Sequence, residues 1–218
     1  MSRRNSAARR PAKVAESSST LRIIGGEWRS RKLAFPEIEG LRPTPDRVRE
    51  TLFNWLQTSI PGSACLDLFC GSGALGFEAL SRGAASATFV DQAPEVVYQI
   101  RHNLNLLKAQ NGEVVSAQVL DWLESKIADQ EVRYDVVFLD PPFNRKLIAP
   151  TVTLLESRGL LNNRAFIYVE SEQDWIPDGI PDNWELYREK TAGQVCYRLY
   201  LRHETHFQDE TLTFSQES

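Results

Sequence analysis

The chain has 218 residues, of which 42% are hydrophobic and 25% are charged, and its formal net charge at pH 7 is −4. This length suits one domain with a sizeable core plus a small additional module. It contains no apolar run of membrane-spanning length, and the basic start (residues 1–10) lacks the apolar stretch of a secretory signal. We therefore expect a soluble, cytoplasmic protein without a membrane partner.

Three cysteines occur, at Cys65, Cys70 and Cys196. An odd number without metal-ligand spacing indicates a reducing compartment, without disulfides or a bound metal. Cys70 borders a glycine-rich loop, so it can be read as a nucleophile or as a small buried thiol beside a tight turn. The buried thiol is the commoner situation.

Charge is distributed unevenly along the chain. Residues 1–50 contain 12 Lys or Arg and 6 Asp or Glu, whereas residues 51–218 contain 13 and 23. Basic residues interleaved with Trp28 and Phe35 suit phosphates and exposed bases, although a solvated face that only keeps the chain soluble is the alternative. The candidate RNA-binding residues are Arg22, Arg29, Arg31, Lys32, Arg42, Arg47 and Arg49, with Arg145 and Lys146 further along the chain.

The N-terminal part is predicted to form a separate module. Residues 1–20 read as a disordered basic tail, although their arginine and serine content also fits a mitochondrial presequence. Residues 21–60 then form a hairpin around the turn Gly25–Gly26, followed by a helix with Thr44 as its cap and Pro45 at its first position. We expect this module to face RNA and a cofactor, with the helix start over residues 44–49 closing over the cofactor. Pro61 and Gly62 separate it from a domain over residues 61–202, and residues 203–218 are a polar tail.

Strand and helix patterns alternate through the domain, which predicts an α/β fold with a mostly parallel sheet and helices on both faces. The sheet ends in an antiparallel hairpin around Ala192–Gly193. The predicted strands before the hairpin are Ala64–Phe69, Ala87–Val90, Glu113–Ala117, Tyr134–Leu139 and Ala165–Val169, and the longer predicted helices are Pro94–Leu107 and Pro150–Ser157.

The segment Asp140–Phe143 (Asp-Pro-Pro-Phe) follows a buried strand and suits the binding of a planar ring that carries an amino group. The prolines fix the backbone, so the Asp140 side chain and the Pro141 carbonyl can both accept hydrogen bonds in one cleft. Phe143 can lie against the face of the ring. A simple turn with a core phenylalanine is the alternative, but the position at a strand end favours a site.

A glycine loop follows the first domain strand and matches G-x-G-x-x-G through Gly71, Ser72, Gly73 and Gly76. Alone, this pattern also suits a nicotinamide dinucleotide. Asp67, four residues before the first glycine, would repel a pyrophosphate but can shape the loop and attract the ammonium end of S-adenosylmethionine.

Two later strand ends offer further cofactor contacts. Asp91, about twenty residues after the first glycine, can accept the hydroxyls of a ribose with either cofactor. Gln118 or Asp121 can reach an adenine amino group, although Asp121 equally suits the start of a short helix.

Five segments together resemble the bacterial RsmD family, which methylates guanine N2 in 16S ribosomal RNA. They are residues 22–33, residues 41–56, Gly71–Gly76, Asp140–Phe143 and residues 193–200, and the similarity extends over about residues 21–202. The resemblance implies a Rossmann-like class I methyltransferase fold with a seven-stranded sheet, and S-adenosylmethionine as cofactor. It also implies 16S RNA in the assembled or assembling small ribosomal subunit as partner, and we expect a monomer.

In the mechanism expected for this chemistry, Asp140 and the Pro141 carbonyl accept hydrogen bonds from the amine while Phe143 stacks on the base. Three alternatives stay open. An adenine-N6 or other amino methyltransferase on DNA or RNA uses the same arrangement, and a nicotinamide oxidoreductase fits only the glycine loop and Asp91. A non-catalytic RNA-binding assembly protein would transfer no methyl group.

Overall fold

The computed structural model describes residues 18–38, 43–127, 132–143 and 145–204. In these residues the strands are β1 Ser18–Arg22, β2 Lys32–Pro36, β3 Ala64–Leu68, β4 Ser86–Asp91, β5 Gly112–Ser116, β6 Tyr134–Leu139, β7 Leu161–Glu172, β8 Trp184–Ala192 and β9 Val195–Arg202. The helices are α1 Asp46–Trp55, α2 Ala74–Ser81, α3 Pro94–Leu107, α4 Val119–Glu124 and α5 Ile148–Ser157. In the described ranges, no helix is long and apolar enough to cross a membrane.

Seven strands form one sheet in the order β5-β4-β3-β6-β7-β9-β8. The first five run parallel, and β9 pairs antiparallel with both β7 and β8. This confirms the predicted α/β fold with an antiparallel C-terminal hairpin. Because parallel strands joined by helices point the same way, the carboxyl ends of β3, β4, β6 and β7 meet at one edge of the sheet.

The sheet is covered on both faces, which explains the apolar runs of its central strands. One core cluster contains buried residues of α1, α2 and α3, and the other contains buried residues of α4 and α5. Leu21 and Leu33 of the small β1–β2 sheet belong to the first cluster. The N-terminal segment therefore packs directly against the domain and contributes to its core.

The predicted glycine turn of the N-terminal hairpin is wrong. Strands β1 and β2 pair from Ser18 opposite Pro36 to Arg22 opposite Lys32, so residues 23–31 form a longer connection. Gly26 has a φ of +76°, and a Cβ there would lie 1.8 Å from the carbonyl oxygen of Ser81. The glycine is needed for the close approach of this connection to the end of α2.

Two predicted boundaries also change. Strand β1 begins at Ser18, so the predicted tail over residues 1–20 overlaps an ordered strand. Helix α1 begins at Asp46 with Pro45 in the cap position, so Thr44 is not its cap. The remaining tail predictions, for residues 1–17 and 205–218, lie outside the described residues, as does Arg42.

Candidate active site

The candidate site lies where the carboxyl ends of the parallel strands meet. Asp91 is the last residue of β4, Asp140 directly follows β6, and Glu170 lies near the end of β7. The glycine loop leads from β3 into α2 at the same edge. The topology thus brings together groups from the loop and from three strand ends.

The glycine loop turns tightly between β3 and α2. Phe69, Gly71 and Gly73 all have positive φ angles, and the Gly73 N–H donates to the Cys70 carbonyl at 2.7 Å. A Cβ on Gly73 would lie 2.4 Å from Ile100, and a Cβ on Gly76 would lie 2.2 Å from Phe89. These two glycines therefore allow close packing of α2 on the sheet and on α3.

Two aspartates hold the loop in shape. Asp67 is buried, and its Oδ2 accepts the Gly76 N–H at 2.8 Å. Asp91 accepts the Gly71 N–H at 3.0 Å and the Ala93 N–H at 2.9 Å. These bonds support the predicted role of Asp67 in shaping the loop.

Burial and, to a smaller extent, the charge of Asp91 raise the pKa of Asp67 to about 8, although the Gly76 N–H bond opposes the shift. The predicted attraction between Asp67 and the ammonium end of a ligand stays a prediction.

Asp140 lies between the glycine loop and β7. Its side chain is partly exposed, and the Thr44 hydroxyl donates to Asp140 Oδ2 at 3.5 Å. Burial raises the pKa of Asp140 well above its usual value, and the negative charges of Glu170 and Asp67 raise it further. Asp140 is therefore within electrostatic reach of both the loop side and the β7 side of the site.

A cavity of about 650 Å³ opens beside Asp140. Its lining includes Pro141, Phe143, Glu170 and Trp175, and the Phe143 side chain is 44% exposed. A volume of this size is typical of small-molecule sites, and the aromatic side chains suit a planar ring.

The site is acidic. In the residues that the structure describes, none of the ion pairs involves Asp67, Asp91, Asp140 or Glu170. Carboxyl groups with raised pKa values ionise more readily when a ligand with positive charge lies beside them, whereas the negative charge of a diphosphate opposes their ionisation. These four carboxyl groups therefore fit a cationic sulfonium cofactor better than a nicotinamide dinucleotide.

The other predicted cofactor residues have less defined surroundings. Ser72 is buried in the loop, and Gln118 is exposed in the cap position of α4 without a side-chain capping bond. Asp121 is exposed in the first turn of α4. The Cys70 thiol is buried, and burial raises its pKa well above the usual value, which supports the buried-thiol interpretation over a nucleophile.

Most of the predicted RNA-binding residues lie on the surface. The exposed ones are Arg22, Arg29, Arg31, Lys32, Arg47, Arg145 and Lys146. Arg145 and Lys146 line the 650 Å³ cavity, and Arg22 and Lys32 line a second cavity of about 390 Å³ that also includes Thr44. The basic N-terminal surface is thus connected to the neighbourhood of Asp140.

Arg49 is wrong as an RNA contact, because its side chain is only 1% exposed. It donates to Asp46 at 2.6 Å, to the Arg22 carbonyl at 2.9 Å and to Glu78 at 3.5 Å. Its role is to join the N-terminal segment to α2.

Trp28 and Phe35 are also wrong as surface partners for exposed bases. Both side chains are buried in the core cluster that includes α2 and α3.

Sequence reasoning missed Glu170 and Trp175, and it did not predict the contact of Thr44 with Asp140. Glu170 follows the predicted strand Ala165–Val169, so the strand-end argument used for Asp140 applied to it as well. Thr44 was expected at a helix start that faces the cofactor, but its contact with Asp140 joins residues 96 apart in the chain. Trp175 lies in the irregular segment after β7, where no local pattern indicated a cavity wall.

Comparison with known proteins agrees with this geometry. A family model described as Conserved hypothetical protein 95 matches residues 21–201. The Ribosomal RNA small subunit methyltransferase D of Escherichia coli (strain K12) is 52% identical over 185 residues, which cover 85% of this chain and 91% of the relative. The protein of the same name from Haemophilus influenzae is 50% identical over 182 residues, which cover 83% and 93%.

A solved structure of an Escherichia coli protein described as a methyltransferase is also similar. It has a TM-score of 0.77 and 52% identity, with 85% of this chain and 99% of that chain covered. The family model spans most of the chain, and the relatives are matched over nearly their whole length. This chain therefore belongs to the bacterial RsmD methyltransferase family, which its sequence resembles.

Proposed function

We propose that this protein transfers a methyl group from S-adenosylmethionine to the exocyclic N2 amine of a guanine in 16S ribosomal RNA. The observation that carries the proposal is the position of Asp140, between an acidic glycine-loop site and a cavity of about 650 Å³ with aromatic walls. A methyl donor and an acceptor base must meet at such a point. The relatives' names, which specify small-subunit ribosomal RNA, support the choice of substrate.

The residues of the glycine-loop side suit the donor. When bound, S-adenosylmethionine supplies a methyl group on a positively charged sulfur. Asp91 has oxygen lone pairs for the ribose hydroxyls beyond the two backbone bonds it accepts. Gly71 and Ser72 provide backbone close to the ligand, Asp67 holds the loop through its bond to the Gly76 N–H, and Gln118 contacts the adenine.

The residues after β6 act on the base. Guanine N2 is a poor nucleophile because its lone pair is delocalised into the ring. Asp140 and the Pro141 carbonyl accept its two hydrogens, which favours a pyramidal nitrogen and stabilises the developing positive charge. N2 then bonds to the methyl carbon, the electrons of the carbon–sulfur bond go to sulfur, and the nitrogen releases a proton to solvent. Phe143 stacks on the base during this step.

The partner that we propose is the assembled or assembling small ribosomal subunit in the cytoplasm, bound by a monomer. The exposed basic residues of the N-terminal segment contact RNA phosphates, and Arg145 and Lys146 contact the backbone at the cavity mouth. We infer that the module over residues 21–60 carries most of this interface, and that residues 61–202 carry the chemistry.

A methyl-transfer assay tests the proposal. S-adenosylmethionine with a labelled methyl group is offered with small subunits, naked 16S RNA, transfer RNA and DNA in parallel, and the methylated nucleoside is identified by mass spectrometry. We expect N2-methylguanosine in the small-subunit or 16S RNA samples. Methyladenine in any sample would support the adenine alternative, and label in none would support a non-catalytic role.

A further inference from the structure

Glu170 is a buried carboxylic acid that the proposed chemistry does not use. Its side chain lies on β7, is 7% exposed, and lines the cavity of about 650 Å³. Phe143 and Trp175 line the same cavity. Burial of a carboxylic acid costs free energy unless the group is hydrogen-bonded or paired, so we expect a partner for Glu170.

The sheet register places Glu170 beside Asp140. Strands β6 and β7 are parallel neighbours, with Phe138 opposite Tyr168 and Leu139 opposite Val169. The next residues along the chain are Asp140, which directly follows β6, and Glu170 on β7. Neighbouring strands lie about 4.8 Å apart, and residues two apart on a strand share a face. The register therefore places Asp140 and Glu170 side by side, in agreement with the effect of the Glu170 charge on the pKa of Asp140.

Tyr168 orients the Glu170 carboxyl group. The Tyr168 hydroxyl donates to Glu170 Oε2 at 2.7 Å, and the buried Tyr168 ring packs on Tyr197 with ring centres 6.3 Å apart. Among the described residues, Tyr168 is the only hydrogen-bond donor to the Glu170 side chain. The second oxygen, Oε1, is therefore available to a molecule in the cavity.

Guanine presents two kinds of donor side by side, the N2 amine and the N1–H. Adenine has an acceptor at N1, next to its own amine. In the orientation that contact with both carboxyl groups requires, the N2 amine lies at Asp140 and the adjacent N1–H faces the neighbouring strand, where Glu170 lies. Two acceptors, one strand apart, match the two donors of guanine.

We propose that Glu170 accepts the N1–H of the target guanine and makes the cavity selective for guanine over bases with an acceptor at that ring position. This inference rests on the proposed function, because it requires guanine N2 to be the methylated atom. Selectivity follows because an N1 acceptor facing Glu170 leaves two buried lone pairs opposed and unpaired.

An atomic substitution in the RNA tests this contact. Small subunits are assembled on 16S RNA that carries either guanine or 2-aminopurine at the nucleotide identified by mass spectrometry. 2-Aminopurine keeps the amine but has an acceptor at N1. The measured quantity is the ratio of kcat/KM for guanine to that for 2-aminopurine. The intrinsic reactivity of the analogue and its missing O6 affect every enzyme variant equally, so changes in the ratio report on the protein contact.

The variants are Glu170→Gln and, as a matched control, Glu185→Gln, which removes an exposed carboxylate of β8 away from the cavity. In Glu170→Gln the amide oxygen accepts the Tyr168 hydroxyl and the amide NH₂ faces the base. We expect this variant to lower the ratio by about 10²-fold, through slower guanine and faster 2-aminopurine methylation. The control keeps the wild-type ratio. Tyr168→Phe, which releases the carboxyl group, lowers the ratio by a smaller factor.

The measurements separate the role of Glu170 in base selection from the methyl-transfer activity itself. If wild-type protein methylates guanine in small-subunit RNA but Glu170→Gln and Tyr168→Phe keep its ratio, Glu170 has no role in selecting the base. A fall in both rates by the same factor in these variants also overturns the inference, because it indicates a structural role. If the wild type methylates no RNA, the proposed function itself fails.

Discussion

At the residue scale, the site is dominated by carboxyl groups that form no ion pair within the described part of the chain. Asp67 is bonded to a backbone N–H and Asp140 to a hydroxyl, and the pKa of each is raised mainly by burial. Such shifts often occur at functional sites. Here they indicate groups that gain stability when a cationic ligand or a hydrogen-bond donor arrives.

Replacement of Asp140 is predicted to slow methyl transfer without weakening the binding of S-adenosylmethionine. In Asp140→Ala the acceptor of the amine hydrogens is lost, whereas the glycine loop and Asp91 are intact. We expect turnover to fall by about 10²-fold or more, while the affinity for S-adenosylmethionine changes little. Single-turnover methyl transfer and cofactor titration measure the two quantities. Asp182→Ala, in an exposed turn, is the control, and near-normal turnover of Asp140→Ala would refute the proposed role.

Asp67 is predicted to make stability depend on pH. Its pKa is about 8 in the folded protein against an ordinary value of 3.8. Because the folded pKa is the higher one, the stability contributed by the neutral carboxyl group is fully present below 3.8 and is lost as the pH rises through about 8.

The variant Asp67→Asn stays neutral and can still accept the Gly76 N–H. We expect wild type to lose several kcal/mol, on the order of 2–5, relative to this variant between about pH 5 and about pH 9. Urea denaturation at the two pH values measures the difference. Parallel pH dependences of the two proteins would show that Asp67 does not titrate in this range.

At the element scale, one buried ionic cluster joins the N-terminal segment to α2. Glu78 is fully buried and accepts the N–H groups of Ile24 and Gly25 at 2.9 and 2.8 Å. It also pairs with Arg82 at 2.7 Å and with Arg49 at 3.5 Å. Because Thr44 lies just before α1 and contacts Asp140, this cluster also fixes one side of the active site.

Removal of the Arg49 charge is predicted to be destabilising. Arg49→Met leaves Glu78 buried with one cation fewer, which typically costs about 3–5 kcal/mol. Arg47→Met, two residues earlier on the exposed side of α1, should change the free energy of unfolding by less than about 0.5 kcal/mol. Urea denaturation of both variants gives the comparison. Equal effects would mean that the buried pair contributes no more than a surface charge.

At the scale of the whole molecule, charge is divided between an acidic ligand site and a basic N-terminal surface. The acidic groups lie at the carboxyl edge of the parallel sheet, whereas the exposed arginines and lysine belong to β1, β2 and the connection between them. This division suits a protein that binds a cationic cofactor inside and a polyanion outside.

The basic surface is predicted to determine the salt dependence of RNA binding. The double variant Arg31→Ala, Lys32→Ala should bind small subunits more weakly, and the slope of log K against log salt should become shallower by roughly 1–2. Its affinity for S-adenosylmethionine should stay unchanged. Arg188→Ala, Lys190→Ala on β8 is the control with the same loss of charge. Identical salt slopes for wild type and both variants would exclude this surface as the RNA contact.

Local sequence determined the elements and several site residues. The alternation of apolar strands and amphipathic helices specified the parallel sheet, because each pattern has one way to bury its apolar face. It also placed Asp91 and Asp140 at strand ends, and the limits of α3 were predicted as Pro94–Leu107, as observed. The segments that resemble RsmD proteins specified the family, which the comparisons confirm.

Only the tertiary structure decided which polar residues are buried and which meet across the chain. Arg47 and Arg49 look alike in the sequence, but Arg49 is buried against Glu78 whereas Arg47 faces solvent. Glu170 and Thr44 approach Asp140 from 30 and 96 residues away in the chain. Contacts of this kind depend on strand order and helix packing, which the local pattern of residues does not encode.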